Sequence, residues 1–175
     1  MFTKNTDESI RALAEVALIA QIRRWLGAVA PSSPQGMGDD CAVVDWPKGM
    51  KQILTTDSLS YGQHFDDSVS AHDAGAKLIK RNLSDIAAMG GRPGEALLNL
   101  LSGGDLQTNW LAAFFNGICD ACQEYDLPIV GGDISTLPNG QFTAVLSLTG
   151  YSENPPLLRK GAQAGDALYV TGCLL

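Results

Sequence analysis

Apolar positions along the chain follow two periodicities, one typical of helices and the other typical of strands. Spacings of three and four residues predict helices over residues 7–26, about 70–89 and about 108–125. Asp73 follows Ser70 by three residues, a spacing that resembles a capping box at the start of the second helix. The pattern therefore predicts three helices long enough to cover a sheet.

Short β-rich runs occur between the helices and after the third one. They are CAVVDW, QILTTDS, EALLNLLS, LPIVGGD, FTAVLSLTGY and ALYVTG. The first two flank PKGMK, a turn signal, and so predict a pair of neighbouring strands. EALLNLLS is also compatible with a helix, but the clear helix that follows it favours a strand. The whole pattern predicts an α/β (α+β) fold in which a largely buried mixed sheet is flanked by helices.

Composition limits the domain count and the partners. A chain of 175 residues, 45% of them hydrophobic, can bury one core, so we expect one domain or one large half of a two-domain protein. No apolar run approaches the roughly 18–20 residues that span a bilayer, and the N-terminus lacks a signal-peptide pattern. Four scattered cysteines fit a reducing compartment, so a cytoplasmic protein is expected. The net charge of −7 would repel nucleic acid.

Aspartates stand where the predicted elements begin or end. Asp39 and Asp40 precede a strand, Asp57 and Asp133 follow strands, and Asp85 lies near a helix end. Turns and helix caps are the commoner role for any single aspartate. Neighbouring glycines and threonines, however, permit close approach of a ligand and add neutral oxygens, a combination that suits magnesium. Asp85 in particular opposes the helix macrodipole, which indicates a role beyond the helix itself.

Two further features allow more than one interpretation. His64 follows a Gly-Gln pair, and a loop histidine of this kind is most often solvated or locally hydrogen-bonded. Cys119 and Cys122 form a C-x-x-C, but they lie in an amphipathic helix with no second pair, so packing is favoured over zinc or redox chemistry. A basic cluster in the second helix predicts a solvated face or, less commonly, a phosphate contact. Its members are Lys77, Lys80 and Arg81.

Five segments, in order, resemble the N-terminal half of the thiamine-monophosphate kinase family. They are GDDCAVV, TTDSLSYGQHF, NLSDIAAMGGRP, IVGGD and LLRKGAQAGDALYVTG, together spanning about residues 36–172. This family belongs to the superfamily of aminoimidazole ribonucleotide synthetase. The resemblance implies an ATP-dependent, magnesium-dependent phosphorylation of thiamine monophosphate to thiamine diphosphate. It also implies an ATP-binding domain whose strands pair across the axis of a homodimer.

The resemblance also assigns roles residue by residue. Asp85 and Asp57 would act in catalysis, Gly132, Asp133 and Arg159 would contact ATP, and His64 would contact the thiamine phosphate. The implied magnesium ligands are Asp40, Thr55, Thr56, Asp57, Asp85 and Asp133. Sequence alone does not separate Asp39 from Asp40 as the ligand.

The chemistry of the chain agrees with this assignment. Signatures of P-loop, dinucleotide-binding and protein-kinase sites are missing from the sequence. A phosphate acceptor has a second pKa near 6, so it is mostly ionised at neutral pH and needs no general base. Divalent ions are needed instead, because they relieve repulsion between the two polyanions.

The resemblance divides the chain into three parts and leaves two function classes open. Residues 1–35 are expected to form an N-terminal helix and lead-in, 36–155 the ATP-binding and dimerisation domain, and 156–175 the start of a linker or second domain whose remainder is absent.

The chain departs from the family pattern at ISTLPNG, after GGD, and at VTGCLL. The alternatives to a kinase are a non-catalytic nucleotide-binding or dimerisation module and another ATP-using enzyme of the same superfamily.

Overall fold

The computed structural model describes residues 1–33, 35–37 and 47–170, and it contains three α-helices and four strands in those ranges. The helices are α1 (Glu15–Leu26), α2 (Ala71–Ala88) and α3 (Thr108–Glu124), and the strands are β1 (Lys51–Ser60), β2 (Arg92–Gly103), β3 (Ile129–Leu137) and β4 (Phe142–Ser152). Two short 3₁₀ helices, Thr6–Glu8 and Ile10–Ala12, precede α1. No helix in the described ranges is long and apolar enough to cross a bilayer.

The four strands form one mixed sheet in the order β1-β4-β2-β3. Strand β4 runs antiparallel to both of its neighbours, and β2 runs parallel to β3. Strand β2 is followed by α3, which carries the chain back to the end of the sheet where β2 begins, so that β3 can lie parallel to β2. The predicted α/β fold with a mixed sheet and flanking helices is therefore confirmed.

Helices α2 and α3 cover one face of this sheet. Alternate residues of the strands are buried on that face, including Leu98 and Leu100 of β2 and Leu146 and Leu148 of β4. Phe114 of α3 is fully buried and makes an edge-to-face contact with Phe142, with ring centroids 5.3 Å apart. The opposite face is more open, since Leu54 and Leu97 there expose 69% and 46% of their surface.

Most predicted elements are observed within a few residues of their expected bounds. Ser70 caps α2 by accepting a hydrogen bond from the Asp73 N–H, as the capping box predicts. The strands expected from QILTTDS, EALLNLLS, LPIVGGD and FTAVLSLTGY are β1 to β4. The strand expected from CAVVDW lies outside the described residues.

Two predictions at the ends of the chain are wrong. The helix over residues 7–26 begins only at Glu15, because the backbone N–H groups of Ile10 and Arg11 donate to the Leu106 and Gly104 carbonyls instead of joining a helix. The run ALYVTG forms no strand over its described part, residues 167–170, and Leu168 there is fully exposed. A β-rich run becomes a strand only where another strand accepts its hydrogen bonds.

Candidate functional site

Strand β1 and helix α2 meet in a row of polar contacts, which we call the β1–α2 seam and define by Thr55, Asp57, Arg81 and Asp85. The Thr55 Oγ1 hydroxyl donates to Asp85 Oδ2 at 2.7 Å. Arg81 Nη2 donates to Asp57 Oδ1 at 2.9 Å. The seam thus joins two predicted catalytic aspartates to neighbouring side chains on the helix-covered side of the sheet.

The seam follows from the periods of the two elements. Residues two apart on a strand share a face, and residues four apart on a helix lie one above the other. Thr55 and Asp57 therefore face α2, where Asp85 and Arg81 meet them. Because the aspartate is paired with the earlier strand residue and the arginine with the later one, α2 runs against the direction of β1.

Arg81 fixes one oxygen of Asp57. Asp57 Oδ1 also accepts a hydrogen bond from the Ser58 N–H at 3.1 Å, and Arg81 Nη1 donates to the Ser58 carbonyl at 3.0 Å. The Arg81 and Asp57 side chains are 31% and 30% exposed, so solvent screens the pair only in part. The interpretation of Arg81 as part of a solvated helix face is therefore wrong: it is a residue of the seam.

A cleft of about 1050 Å³ lies mainly against the open face of the sheet, and residues buried on the other face, Leu98 and Leu100 among them, also line it. Four residues with predicted roles line it, namely Thr55, Thr56, Gly132 and Asp133, together with apolar side chains that include Leu54, Leu97 and Ile19. Its volume is close to the upper end of the range of pockets that hold small molecules and cofactors. Thr55 belongs to both features, because it lines the cleft and donates to Asp85 in the seam.

The glycines of the GGD segment allow β3 to approach β2 closely. A Cβ atom at Gly132 would overlap the carbonyl oxygen of Leu98 on β2. A side chain at this position would displace one of the two strands. Asp133 follows directly, and its Oδ2 accepts a hydrogen bond from the Ser135 hydroxyl at 2.8 Å.

Asp133 is far from the seam within one chain. Strands β1 and β3 are the outer strands of the described sheet, three strand spacings apart, which amounts to about 14 Å. Asp133 is in register with Asn99 on the open face, whereas Asp57 faces α2. In the described part of the chain, no group of three or more His, Cys, Asp or Glu side chains is arranged to hold a metal ion. The structure thus brings Thr55 and Asp85 together but leaves Asp133 at the other edge.

The remaining predicted site residues have different surroundings. His64 is half-buried, and its Nδ1 accepts a hydrogen bond from the Ser60 N–H at 3.0 Å. The Thr56 hydroxyl donates to the Leu146 carbonyl at 3.0 Å. Arg159 is exposed in the segment that follows β4, and Asp40 lies outside the described residues, as does its neighbour Asp39.

The C-x-x-C is part of the packing of α3, as the sequence favours. Cys122 is fully buried, and burial raises the pKa of its thiol to about 12. Burial also raises the pKa of Cys119, whose Sγ lies 3.6 Å from the Leu26 carbonyl oxygen. Both thiols are therefore protonated near neutral pH and are poor nucleophiles.

Comparison with known proteins relates this geometry to a family. Residues 38–152 match the model of "AIR synthase related protein, N-terminal domain". The thiamine-monophosphate kinase of Rhodopirellula baltica is 40% identical over 152 residues, which cover 82% of this chain and 48% of that protein.

Solved structures give the same relationship. The thiamine-monophosphate kinase of Stenotrophomonas maltophilia K279a superposes with a TM-score of 0.70 at 33% identity, over 88% of this chain and 48% of that one. AaThiL complexed with AMPPCP and TMP superposes with a TM-score of 0.64 at 34% identity, over 95% of this chain and 49% of that one. The chain spans about half the length of the relatives that it matches.

Proposed function

This chain belongs to the family of AIR synthase related proteins, as their N-terminal domain, and we propose that it is the N-terminal half of a thiamine-monophosphate kinase. The reaction transfers the terminal phosphoryl group of ATP to thiamine monophosphate and gives thiamine diphosphate. The observation that carries the proposal is the Thr55–Asp85 hydrogen bond, because it joins a conspicuous helical carboxylate to the edge of the large cleft.

The cleft on the open face is the proposed nucleotide site. Its apolar side chains offer contact surface for an adenine ring, and Gly132 and Asp133 lie along its lining. Glycine lets a ligand come close to the backbone of β3. An elongated nucleotide in this cleft would extend between the β3 edge and the β1 threonines, so Asp133 and Asp85 would serve different parts of one bound molecule. Arg159 is proposed to contact the ATP phosphates from the segment after β4.

The seam is the part of the site that is proposed to bind magnesium. Its donors are carboxylate and hydroxyl oxygens, the ligands that magnesium prefers, and magnesium usually keeps waters and substrate phosphates for its other positions. Asp85, Asp57 and Thr55 would hold this ion with Asp40, while Thr56 and Asp133 would offer oxygens to a second ion on the cleft side of the sheet. Bound magnesium would supply charge neutralisation between the two phosphate groups.

The protein groups in this proposal position reactants and do not move protons. The acceptor phosphate is already mostly ionised at neutral pH, so an ordered oxygen-rich site without a general base is sufficient. His64 is proposed to contact the thiamine phosphate from the loop after β1. Its ring is oriented by the bond from the Ser60 N–H, which leaves Nε2 as the nitrogen available to a ligand.

We also propose a cytoplasmic homodimer in which strands of two copies pair. Apolar residues on the open face, Leu54 and Leu97 among them, would be covered in part by the second copy. Residues 36–155 would form the ATP-binding and dimerisation domain, 1–35 its lead-in and 156–175 the start of a connection to further structure.

A coupled ATP assay on the product of the complete reading frame tests the proposal. Thiamine monophosphate should support ADP release, whereas unphosphorylated thiamine and other phosphate monoesters should support little or none. ADP release with a different monoester alone would indicate another enzyme of the superfamily. Nucleotide binding without ADP release for any acceptor would indicate a non-catalytic module.

A further inference from the structure

A second pocket lies beside the seam, on the outer side of α2. It is an open surface pocket of about 570 Å³, lined by Asp57, Lys77, Lys80, Arg81 and Ser84. The residues of α2 that line it are three, four and seven positions apart, so they form one face of the helix. We propose that this pocket, named here the basic pocket, binds the phosphate group of the phosphorylated acceptor.

The charge of the basic pocket differs from that of the whole chain. Three cations and one carboxylate line it, whereas the chain carries a net charge of −7. An anion that approaches the protein is repelled over most of the surface and attracted here. Phosphate monoesters are dianions near neutral pH, so they gain more from such a pocket than singly charged ligands do.

The cations of the basic pocket have N–H groups that remain available to a ligand. Arg81 has five N–H groups, of which the bonds to Asp57 Oδ1 and the Ser58 carbonyl use two. Lys77 has three, of which one is donated to the His64 carbonyl at 2.6 Å. Lys80 pairs with Glu124 at 3.1 Å, but both side chains are about half exposed, so this pair is easily exchanged for a ligand.

The basic pocket also adjoins the proposed magnesium residues of the seam. Ser84 directly precedes Asp85, and Arg81 lies one helical turn earlier, about 6 Å along the axis. The Lys77 bond holds the loop that carries His64 against the same side of α2. A phosphate bound between Lys77 and Arg81 therefore lies between His64 and the Asp85 end of the seam. This inference rests on the proposed function in one respect, the identity of the acceptor as thiamine monophosphate. The binding of a phosphate group in the basic pocket is argued independently of it.

Binding without metal or nucleotide tests the basic pocket separately from catalysis. Thiamine monophosphate, inorganic phosphate, thiamine and ATP are titrated into the protein by calorimetry, in excess chelator at fixed ionic strength. The variant Lys77→Gln/Lys80→Gln keeps the Arg81–Asp57 pair, and Arg81→Gln removes the central cation. Lys4→Gln is the control, because it removes the same charge at an exposed position near the N-terminus. Melting temperatures verify that each variant is folded.

We expect thiamine monophosphate and inorganic phosphate to bind the wild-type protein and thiamine not to bind. Each pocket variant should weaken phosphate binding about tenfold or more, the scale of losing a charged hydrogen bond, and Lys4→Gln should leave it within about twofold. Unchanged binding in both pocket variants, or equal binding of thiamine and its monophosphate, would overturn the proposal. So would a dependence on these residues that is seen for ATP but not for thiamine monophosphate. If the expected binding is found and the complete gene product is still inactive, the basic pocket stands and the kinase proposal fails.

Discussion

Asp85 lies in the last turn of α2, where a carboxylate opposes the helix macrodipole. The Thr55 hydroxyl compensates for part of this cost by donating a short hydrogen bond. We therefore propose that Asp85 serves ligand binding and not helix stability.

Replacing Asp85 with asparagine tests its role. The amide oxygen can still accept the Thr55 hydrogen bond, so the fold should persist, but the charge for magnesium is lost. Turnover of the complete gene product with thiamine monophosphate should fall by at least about 10²-fold, the scale of losing one preorganised electrostatic group. Steady-state kinetics would measure this, and Asp126→Asn at an exposed turn is the matched control. Wild-type turnover in Asp85→Asn would show that the carboxylate has only an architectural role.

His72 at the start of α2 provides a pH-dependent contact with α3. Its Nε2 lies 2.9 Å from Asp120 Oδ2, and this hydrogen bond, with a smaller contribution from Asp73, raises the pKa of His72 above its usual value. The pair therefore contributes stability that is fully present below the unfolded-state pKa and is lost as pH rises through the folded-state pKa. Both side chains are about half exposed or more, so the contribution is small.

An NMR titration of His72 measures this effect directly. The pKa of His72 should lie above 6.5 in the wild-type protein. It should move down towards that value in Asp120→Asn, while the same substitution at Asp126 should leave it unchanged. A His72 pKa that does not respond to Asp120→Asn would contradict the assigned hydrogen bond.

Sequence reasoning predicted the seam in part. Asp57 and Asp85 were identified as aspartates at element ends, and Asp85 in particular because it opposes the helix macrodipole. Thr55 was assigned as a magnesium ligand by the resemblance, and it proves to share a hydrogen bond with Asp85. Arg81 was interpreted mainly as part of a solvated helix face, with a phosphate contact as the less common alternative, although its position four residues before Asp85 places both on one helical face. The separation of Asp133 from the seam could not be predicted. The order of the strands, and the face of the sheet on which each side chain lies, depend on pairing between residues far apart in the sequence.

At the scale of elements, α2 and α3 pack closely because each has a glycine at the contact. A Cβ atom at Gly75 would overlap the Phe114 carbonyl oxygen, and one at Gly117 would overlap the carbonyl of His72. The helices contact each other through backbone atoms. A clash at either glycine therefore cannot be relieved by a change of side-chain rotamer.

Gly75→Ala should therefore destabilise the protein despite the better helix propensity of alanine. The propensity gain is about 1 kcal/mol, and overpacking against backbone costs about 1–3 kcal/mol or more. Denaturant unfolding should give a lower free energy of unfolding for Gly75→Ala. Asn116→Ala, at an exposed position of α3, should be neutral or slightly stabilising. A Gly75→Ala variant as stable as the wild type would mean that the two helices are farther apart than described.

The elements that sequence predicted well are those whose signals are local. Helix α2 has its cap and its periodic apolar face within about twenty residues, and it was predicted within a residue at each end. The first helix and the run ALYVTG failed for the opposite reason. Backbone bonds to residues 104–107 shorten the helix, and the lack of a neighbouring strand in the described chain leaves residues 167–170 unpaired.

For the whole molecule, the open face of the sheet and its outer strands predict self-association. Sedimentation velocity of the wild-type protein should give a particle of twice the mass of one chain at micromolar concentration. The apolar surface of Leu54 and Leu97 and the outer strand β3 supply the driving force. A single monomeric species throughout that concentration range would exclude the proposed pairing of strands between copies.

The central claim is that carboxylate and hydroxyl oxygens of this chain bind ATP through magnesium, and calorimetric titration with ATP tests it most directly. With excess magnesium the protein should bind ATP, and with excess chelator the affinity should fall by about tenfold or more, a difference of about 1.4 kcal/mol. Asp85→Asn should lose most of the magnesium-dependent gain. Equal affinity for ATP in magnesium and in chelator would contradict the account.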